Sequence, residues 1–203
     1  MKIICIGMNY KEHARELGNE PPEKPVFFMK PDNALLRKNQ PFFYPDFSSR
    51  IDYEIEVVLK INKVGRKIRP EFAHRYYDKI SVGIDITARD LQQECRQNNM
   101  PWEICKSFDD SAPLGRFIDK SEFPDMNQLD FHLTVNGTIV QKGNTSDMIF
   151  PPEELIAYVS NFITLKTGDV IFTGTPPGIG PLSINDHVEG YLENKKLLDF
   201  KVK

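Results

Sequence analysis

Three acidic residues, Asp52, Glu54 and Glu56, alternate with Tyr53, Ile55, Val57 and Leu59. In a β-strand this alternation puts the carboxylates on one face and the apolar side chains on the other, which alone is expected to be a core face. Same-face neighbours stand roughly 6.5–7 Å apart along a strand. Glu54 and Glu56 can therefore converge on one cation at the roughly 2.0–2.6 Å usual for Mg²⁺ or Ca²⁺ with oxygen ligands. The pattern also suits a solvated strand face, although like charges in register carry a cost that an ion removes. A metal site needs a third ligand from elsewhere, and Asp85, at the end of an apolar run, is the candidate.

Other residues fit the same chemistry. His13 and Glu16 are i and i+3 in a helical turn expected over residues 11–17. Glu16 can orient the imidazole and favour its protonated form, as a general base requires, although a surface pair gives the same spacing. Lys106 lies among buried-type residues in a segment, 102–108, read as extended, so it needs a counter-charge or a ligand. Arg89 and Gln92, again i and i+3, can point toward whatever Asp85 binds or into solvent. The loop over 173–181 combines Gly for close backbone approach, Pro for rigidity, and the hydroxyls of Thr173 and Thr175 for an anionic group. It lacks the Gly-Lys-Ser/Thr ending of a phosphate-binding loop.

The elements that must position these groups are mostly strands. Apolar runs predict strands at 3–6, 26–29, 51–59, 80–84, 170–173, 187–192 and 197–202, and Asn136-Gly137 predicts a type I′ hairpin between 129–135 and 138–141. Helices are expected at 70–77 behind Pro70, at 87–98 with Thr87 capping and Asp90 three residues on, and at 151–162. Leu91 and Cys95 give the second of these its apolar stripe. Pro21, Pro22 and Pro25 stiffen the connector behind His13, which lets that segment act as a lid.

A chain of 203 residues, 40% hydrophobic and 27% charged, reads as one globular domain over 1–203. A net charge of −3 leaves no basic footprint for nucleic acid, and no apolar run approaches the roughly 20 residues of a membrane span. The expected partner is a small molecule. The apolar start at Met1–Gly7 is too short for a signal peptide, so it is expected to belong to the mature chain. Cys5, Cys95 and Cys105 are odd in number without C-x-x-C spacing, which suggests neither disulfide nor zinc site and suits a reducing cytoplasm.

Laid side by side, Gly7-Met8-Asn9-Tyr10-Lys11-Glu12-His13, Pro25-Val26-Phe27-Phe28-Met29-Lys30-Pro31, Glu54-Ile55-Glu56, Asp85-Ile86-Thr87-Ala88-Arg89-Asp90-Leu91-Gln92, Lys106-Ser107-Phe108 and Thr173-Gly174-Thr175-Pro176 resemble the fumarylacetoacetate hydrolase family, in particular its short acylpyruvase/oxaloacetate decarboxylase branch. The resemblance implies an α+β, predominantly β fold, a mixed β-roll or sandwich with a few short helices, usually a homodimer. It implies Mg²⁺ or Mn²⁺ on Glu54, Glu56 and Asp85, and His13 and Glu16 as a water-activating pair on a closing lid. Lys106 would bind substrate oxygens, with Arg89, Gln92 and Thr175 lining the substrate site. Cys105 stands where relatives more often place Gly or Ala, and its small apolar character fits packing.

The implied activity is cleavage of a C–C bond in acylpyruvates (2,4-diketo acids) to pyruvate and a carboxylic acid. Decarboxylation of oxaloacetate passes through the same enolate. Within the family, fumarylpyruvate hydrolysis and isomerisation of the 2-hydroxyhepta-2,4-diene-1,7-dioate type are the alternatives. A non-catalytic metal-binding β domain is the alternative outside it.

Overall fold

Runs of Ile, Val, Phe and Leu build the centre of the molecule. The computed structural model describes residues 1–16, 18–36 and 40–203; Leu17, the expected end of the first helix, lies outside the described residues. Strand Ile3–Gly7 (β1) leads to helix Lys11–Glu16 (α1) and strand Val26–Lys30 (β2). Leu35–Leu36 (β3) and Ile51–Tyr53 (β4) are short, whereas Ile55–Ile61 (β5) and Tyr77–Ile84 (β6) are long and flank the one-turn helix Pro70–Ala73 (α2). Thr87–Ala88 (β7) feeds helix Arg89–Gln97 (α3), followed by Glu103–Lys106 (α4), Ala112–Pro113 (β8) and Ile118–Asp119 (β9). Asp130–Val135 (β10) and Thr138–Asn144 (β11) form the hairpin, and helix Pro152–Phe162 (α5) follows. Val170–Phe172 (β12), Gly180–Pro181 (β13), His187–Leu192 (β14) and Lys195–Lys201 (β15) complete the chain.

The main sheet has the order β2-β1-β12-β5-β6-β9 and is mixed, since β1 runs parallel to β12 while its other pairs are antiparallel. A four-stranded antiparallel sheet, β11-β10-β14-β15, packs its β10 on β5 and its β14 and β15 on β6. The small sheets β13-β4-β7 and β3-β8 lie beside them. The fold is therefore predominantly β with a few short helices, as the resemblance implies.

Strand β5 is buried on both faces. Ile55, Val57 and Leu59 join a core with Val82, Leu133, Val188 and Leu198, while Val58 joins a second with Ile3, Cys5, Val170 and Phe172. At roughly 1.5–3 kcal/mol for each fully buried large aliphatic side chain, these contacts fix the strand's height and register. The carboxylate face, expected not to be a core face, is thus as dry as the other: Glu54 is 5% exposed, Glu56 1% and Asp52 0%.

Several local expectations give way to pairing. The run 51–59 is broken at Glu54, because β4 pairs with β13 and β7 while β5 pairs with β12 and β6. The helix expected through Tyr77 ends at Ala73, since Tyr77 pairs with Ile61 and starts β6. Thr87 does not cap α3 but sits in β7; Ala88 occupies the cap position without a side-chain bond. Residues 102–108 are not extended: α4 turns there, with Lys106 N–H donating to Trp102 O at 2.9 Å. The hairpin does turn through Asn136 (φ 52°) and Gly137 (φ 79°), the positive pair that a type I′ turn needs. All three cysteines are free and buried, and among the described residues no helix is long and apolar enough to cross a membrane.

Candidate metal and substrate site

The register of the main sheet brings the acidic residues together. Ile55 pairs with Ile84, so Glu54 and Asp85 face each other just beyond the ladder, where Asp85 N–H donates to Glu54 O at 2.9 Å. On the other side of β5, β12 ends with Thr173 N–H on Val57 O, and the next residue, Gly174, donates its N–H to Glu56 Oε2 at 2.6 Å. Glycine is required at 174: φ is 101° and a Cβ would lie 2.6 Å from the Asn9 Cβ. As a result Glu54, Glu56 and Asp85, all buried, each place an oxygen within 4.8 Å of the others.

Three cations neutralise this cluster. Lys106 Nζ donates to Glu54 Oε2 (2.8 Å), Asp85 Oδ2 (2.7 Å) and Thr87 Oγ1 (2.6 Å). Arg89 donates to Glu54 Oε1, to Asp52 Oδ2 (2.8 Å) and to Gln92 Oε1 (2.5 Å). Lys30 Nζ lies 2.8 Å from Asp85 Oδ1. Burial alone would raise Glu54 and lower Lys106. The opposite charges win, so Lys106 and Arg89 hold Glu54 well below the usual carboxylate range, and Asp85 and Glu54 push Lys106 up. Glu56 goes the other way, raised by burial and by its neighbours Asp85 and Glu54 despite the Gly174 bond.

This donor set fits a hard divalent ion. Asp85 Oδ1 is buried without a hydrogen bond, even though Lys30 is in charge contact, because Lys30 donates to Ile86 O, Ser111 O and Ser111 Oγ. A carboxylate oxygen that accepts no hydrogen bond, beside two more buried acidic groups, one of them raised by burial and by like charge, is what a cation with oxygen ligands relieves.

His13, 4% exposed, lines the same small cavity as the three carboxylates, Arg89, Gln92, Lys106 and Thr175. Its Nδ1 lies 3.1 Å from Glu16 Oε2, and Gly178 N–H also donates to the Glu16 carboxylate. Asn9, just before α1, fixes that segment by donating to Thr173 O and accepting from Phe150 N–H. All nine residues singled out from sequence thus belong to one locality. Thr175 does so differently from expectation. Its hydroxyl donates to Ile55 O and accepts from Gln141 Nε2, and that of Thr173 donates to Val57 O, so both anchor the loop instead of waiting for an anion.

Sequence reading missed three supports. Lys30 closes an apolar run as Lys106 interrupts one, and the same argument, a cation among apolar residues needing a counter-charge, finds it. Asp52, grouped with Glu54 by alternation, is diverted by the break at Glu54 to Arg50 (2.9 Å) and Arg89, which it positions. Gln141, which accepts from Ile55 N–H, carried no local signal. Cys105 donates to Trp102 O, and burial first, then Cys95, pushes its thiol up to about 12, so it packs as an inert side chain.

Residues 2–202 match the family described as fumarylacetoacetate (FAA) hydrolase C-terminal. The chain belongs to the fumarylacetoacetate hydrolase family. Within this enzyme family it is similar to the mitochondrial oxaloacetate decarboxylase of Dictyostelium discoideum, 42% identical over 182 residues, covering 89% of this chain and 84% of that protein. It is also similar to the mitochondrial oxaloacetate tautomerase of Bos taurus, 38% identical over 200 residues, covering 98% and 90%. Among solved structures, the fumarylpyruvate hydrolase of Pseudomonas aeruginosa in complex with Mn²⁺ and pyruvate superposes with a TM-score of 0.94 at 35% identity, covering 100% of this chain and 89% of that one.

Proposed function

We propose that this member of the family is a Mg²⁺- or Mn²⁺-dependent enzyme of 2-oxo acids, cleaving acylpyruvates to pyruvate and a carboxylic acid and decarboxylating oxaloacetate at the same site. One observation carries the reading: Glu54, Glu56 and Asp85 converge beside Lys106, with His13 and Glu16 on the same cavity. The relative complexed with Mn²⁺ and pyruvate supports it, as do the two relatives named for oxaloacetate chemistry.

Glu54, Glu56 and Asp85 would hold the divalent ion, which when bound would supply Lewis-acid polarisation of the keto oxygen. Lys106, kept charged by its neighbours, offsets negative charge as it develops on substrate oxygen. His13, oriented through Nδ1 by Glu16, takes a proton from water on its free nitrogen. The hydroxide attacks the distal carbonyl, the C–C bond breaks toward the pyruvate side, and the resulting enolate is protonated at C3. Oxaloacetate reaches the same enolate by losing CO₂ without an attacking water. Keto–enol exchange needs proton transfer at C3 matched by one at the keto oxygen, and no attacking water. The cavity, about 30 Å³, holds about a water or two, so entry of a keto acid requires an opening, and α1, whose outer end is held by the exposed Glu16–Gly178 contact, is the proposed lid.

Proton NMR of the protein with acetylpyruvate and with oxaloacetate, each with Mg²⁺ and with excess EDTA, tests the reading. Pyruvate should appear from both in Mg²⁺ and at background rate in EDTA. Full turnover in EDTA, or no turnover of either acid, overturns it.

A further inference from the structure

The net charge of −3 conceals a local imbalance. Residues 60–70 hold Lys60, Lys63, Arg66, Lys67 and Arg69 and no acid, and residues 155–168 hold Lys166 and no acid. Without these six cations the chain keeps 20 of its 26 Lys and Arg against 29 Asp and Glu, so the remainder carries −9.

The fold brings the two segments together. Gly65 and Leu165 exchange backbone bonds at 3.0 and 2.9 Å, Lys67 N–H donates to Ser160 O, and Ile68 N–H donates to Ser160 Oγ. Buried Ile68 pins the turn from beneath, and a Cβ on Gly65 would lie 2.4 Å from the Tyr76 ring. Above this fixed base Lys63, Arg66, Lys67, Arg69 and Lys166 are all exposed. Arg69 meets Glu71 at 3.3 Å and Lys63 lies over the Tyr76 ring. Arg66, Lys67 and Lys166 have no side-chain hydrogen bond or ion pair among the described residues. Lys67 also takes a left-handed backbone, φ 51°, which Gly or Asn adopts at less cost.

Apolar side chains stand among these charges. Val64 follows Lys63 and is 64% exposed, and Phe162, between the Ser160 and Leu165 that the turn bonds, is 62% exposed. A phosphate polymer rewards the cations but not an aliphatic tip. A lipid interface rewards both, pairing the cations with anionic headgroups and burying the apolar groups below them.

We propose that this face docks the protein reversibly on an anionic lipid surface, with Val64 and Phe162 entering the interface and the five exposed cations meeting the headgroups. Each Lys or Arg near such a surface adds about fivefold to partition, so five give about 10³-fold over neutral lipid. None of these residues lines the cavity at the carboxylates, so docking stands or falls independently of the function proposed above.

Co-sedimentation of the whole chain with phosphatidylcholine vesicles, with and without phosphatidylserine, tests the assignment in the absence of metal and substrate. The chain should bind only the vesicles with phosphatidylserine at about 0.1 M salt and should leave them as salt rises. Arg66→Gln combined with Lys67→Gln should weaken binding about 25-fold and reduce its salt dependence. Val64→Ser should weaken it several-fold and leave the salt dependence unchanged. Lys166→Gln, on the other segment, should cost about fivefold and gives a reading independent of the turn's folding. Absent binding, equal binding to both vesicles, or binding that every variant leaves unmoved overturns the assignment. Tighter binding to a DNA duplex at equal phosphate concentration also overturns it and gives the face to nucleic acid.

Discussion

The carboxylate cluster and the His13–Glu16 segment face one cavity but are anchored by different means. Glu56 lies within an inner strand of the main sheet, Glu54 and Asp85 lie just past the ends of β5 and β6, and Lys30, Lys106 and Arg89 clamp them from three sides. His13 rides on a six-residue helix that buries only itself and Ala14, far short of the roughly 12–15 residues at which a helix begins to hold itself in water. Its outer tether is an exposed contact between Glu16 and Gly178. The carboxylates are preorganised by sheet register, whereas His13, the proposed base, sits on a short helix held by few buried contacts.

The largest expected effect probes the rigid side. Glu54→Gln and Glu56→Gln both remove a charge from the proposed ligand set, and both should lower turnover by about 10³-fold or more if the ion's several kcal/mol are lost. Their metal-free stabilities should diverge. Glu54→Gln leaves Lys106 and Arg89 each short of a buried partner and should cost up to about 3–5 kcal/mol. Glu56→Gln relieves like-charge crowding and should leave thermal unfolding in EDTA unchanged or raised. Equal destabilisation of the two variants would refute this division of roles.

On the releasable side, His13→Ala should cut acylpyruvate hydrolysis by roughly 10²–10⁴-fold, the usual loss with a general base. Oxaloacetate decarboxylation should retain a larger fraction, so the ratio of the two rates is the observable. Glu16→Gln should move that ratio the same way by less. A common drop in both rates would assign His13 to lid closure or enolate protonation and not to water.

Lys106→Met joins the two regions. Removing an ammonium that bonds both Glu54 and Asp85 should tighten Mn²⁺ binding by titration calorimetry, while turnover of both acids falls by about 10-fold or more, because charge on substrate oxygen is no longer offset. Weaker Mn²⁺ binding would show that Lys106 organises the ligands more than it competes for them.

The smallest effect concerns Asp90, which ties the start of α3 to the preceding loop. Burial opposes its ionisation, but bonds from Ser48, Ser49 and Leu91 lower its pKa from 3.8 to about 2. A depressed carboxyl contributes stability that is complete above the unfolded value and is lost as pH falls through the folded one. Asp90→Asn should therefore flatten the loss of thermal stability between pH 3.8 and about 2, and an unchanged profile there would contradict the anchoring role.

What could be read from the chain follows from what local sequence encodes. Period-two alternation identified Glu54 and Glu56, i to i+3 spacing identified His13 with Glu16 and Arg89 with Gln92, and Asn136-Gly137 marked its turn, because each signal lies within a few residues of itself. Tertiary structure alone decided the rest. The break at Glu54, the diversion of Asp52 to Arg89 and the one-turn helix before Lys106 depend on which strands pair and where partners press. Lys30 meets Asp85 across 55 positions and Gln141 reaches Ile55 across 86, distances over which no local pattern can report. Whether the acidic strand face was wet or buried was equally undecided by its residues, since burial is set by the sheets that pack on it and not by the strand itself.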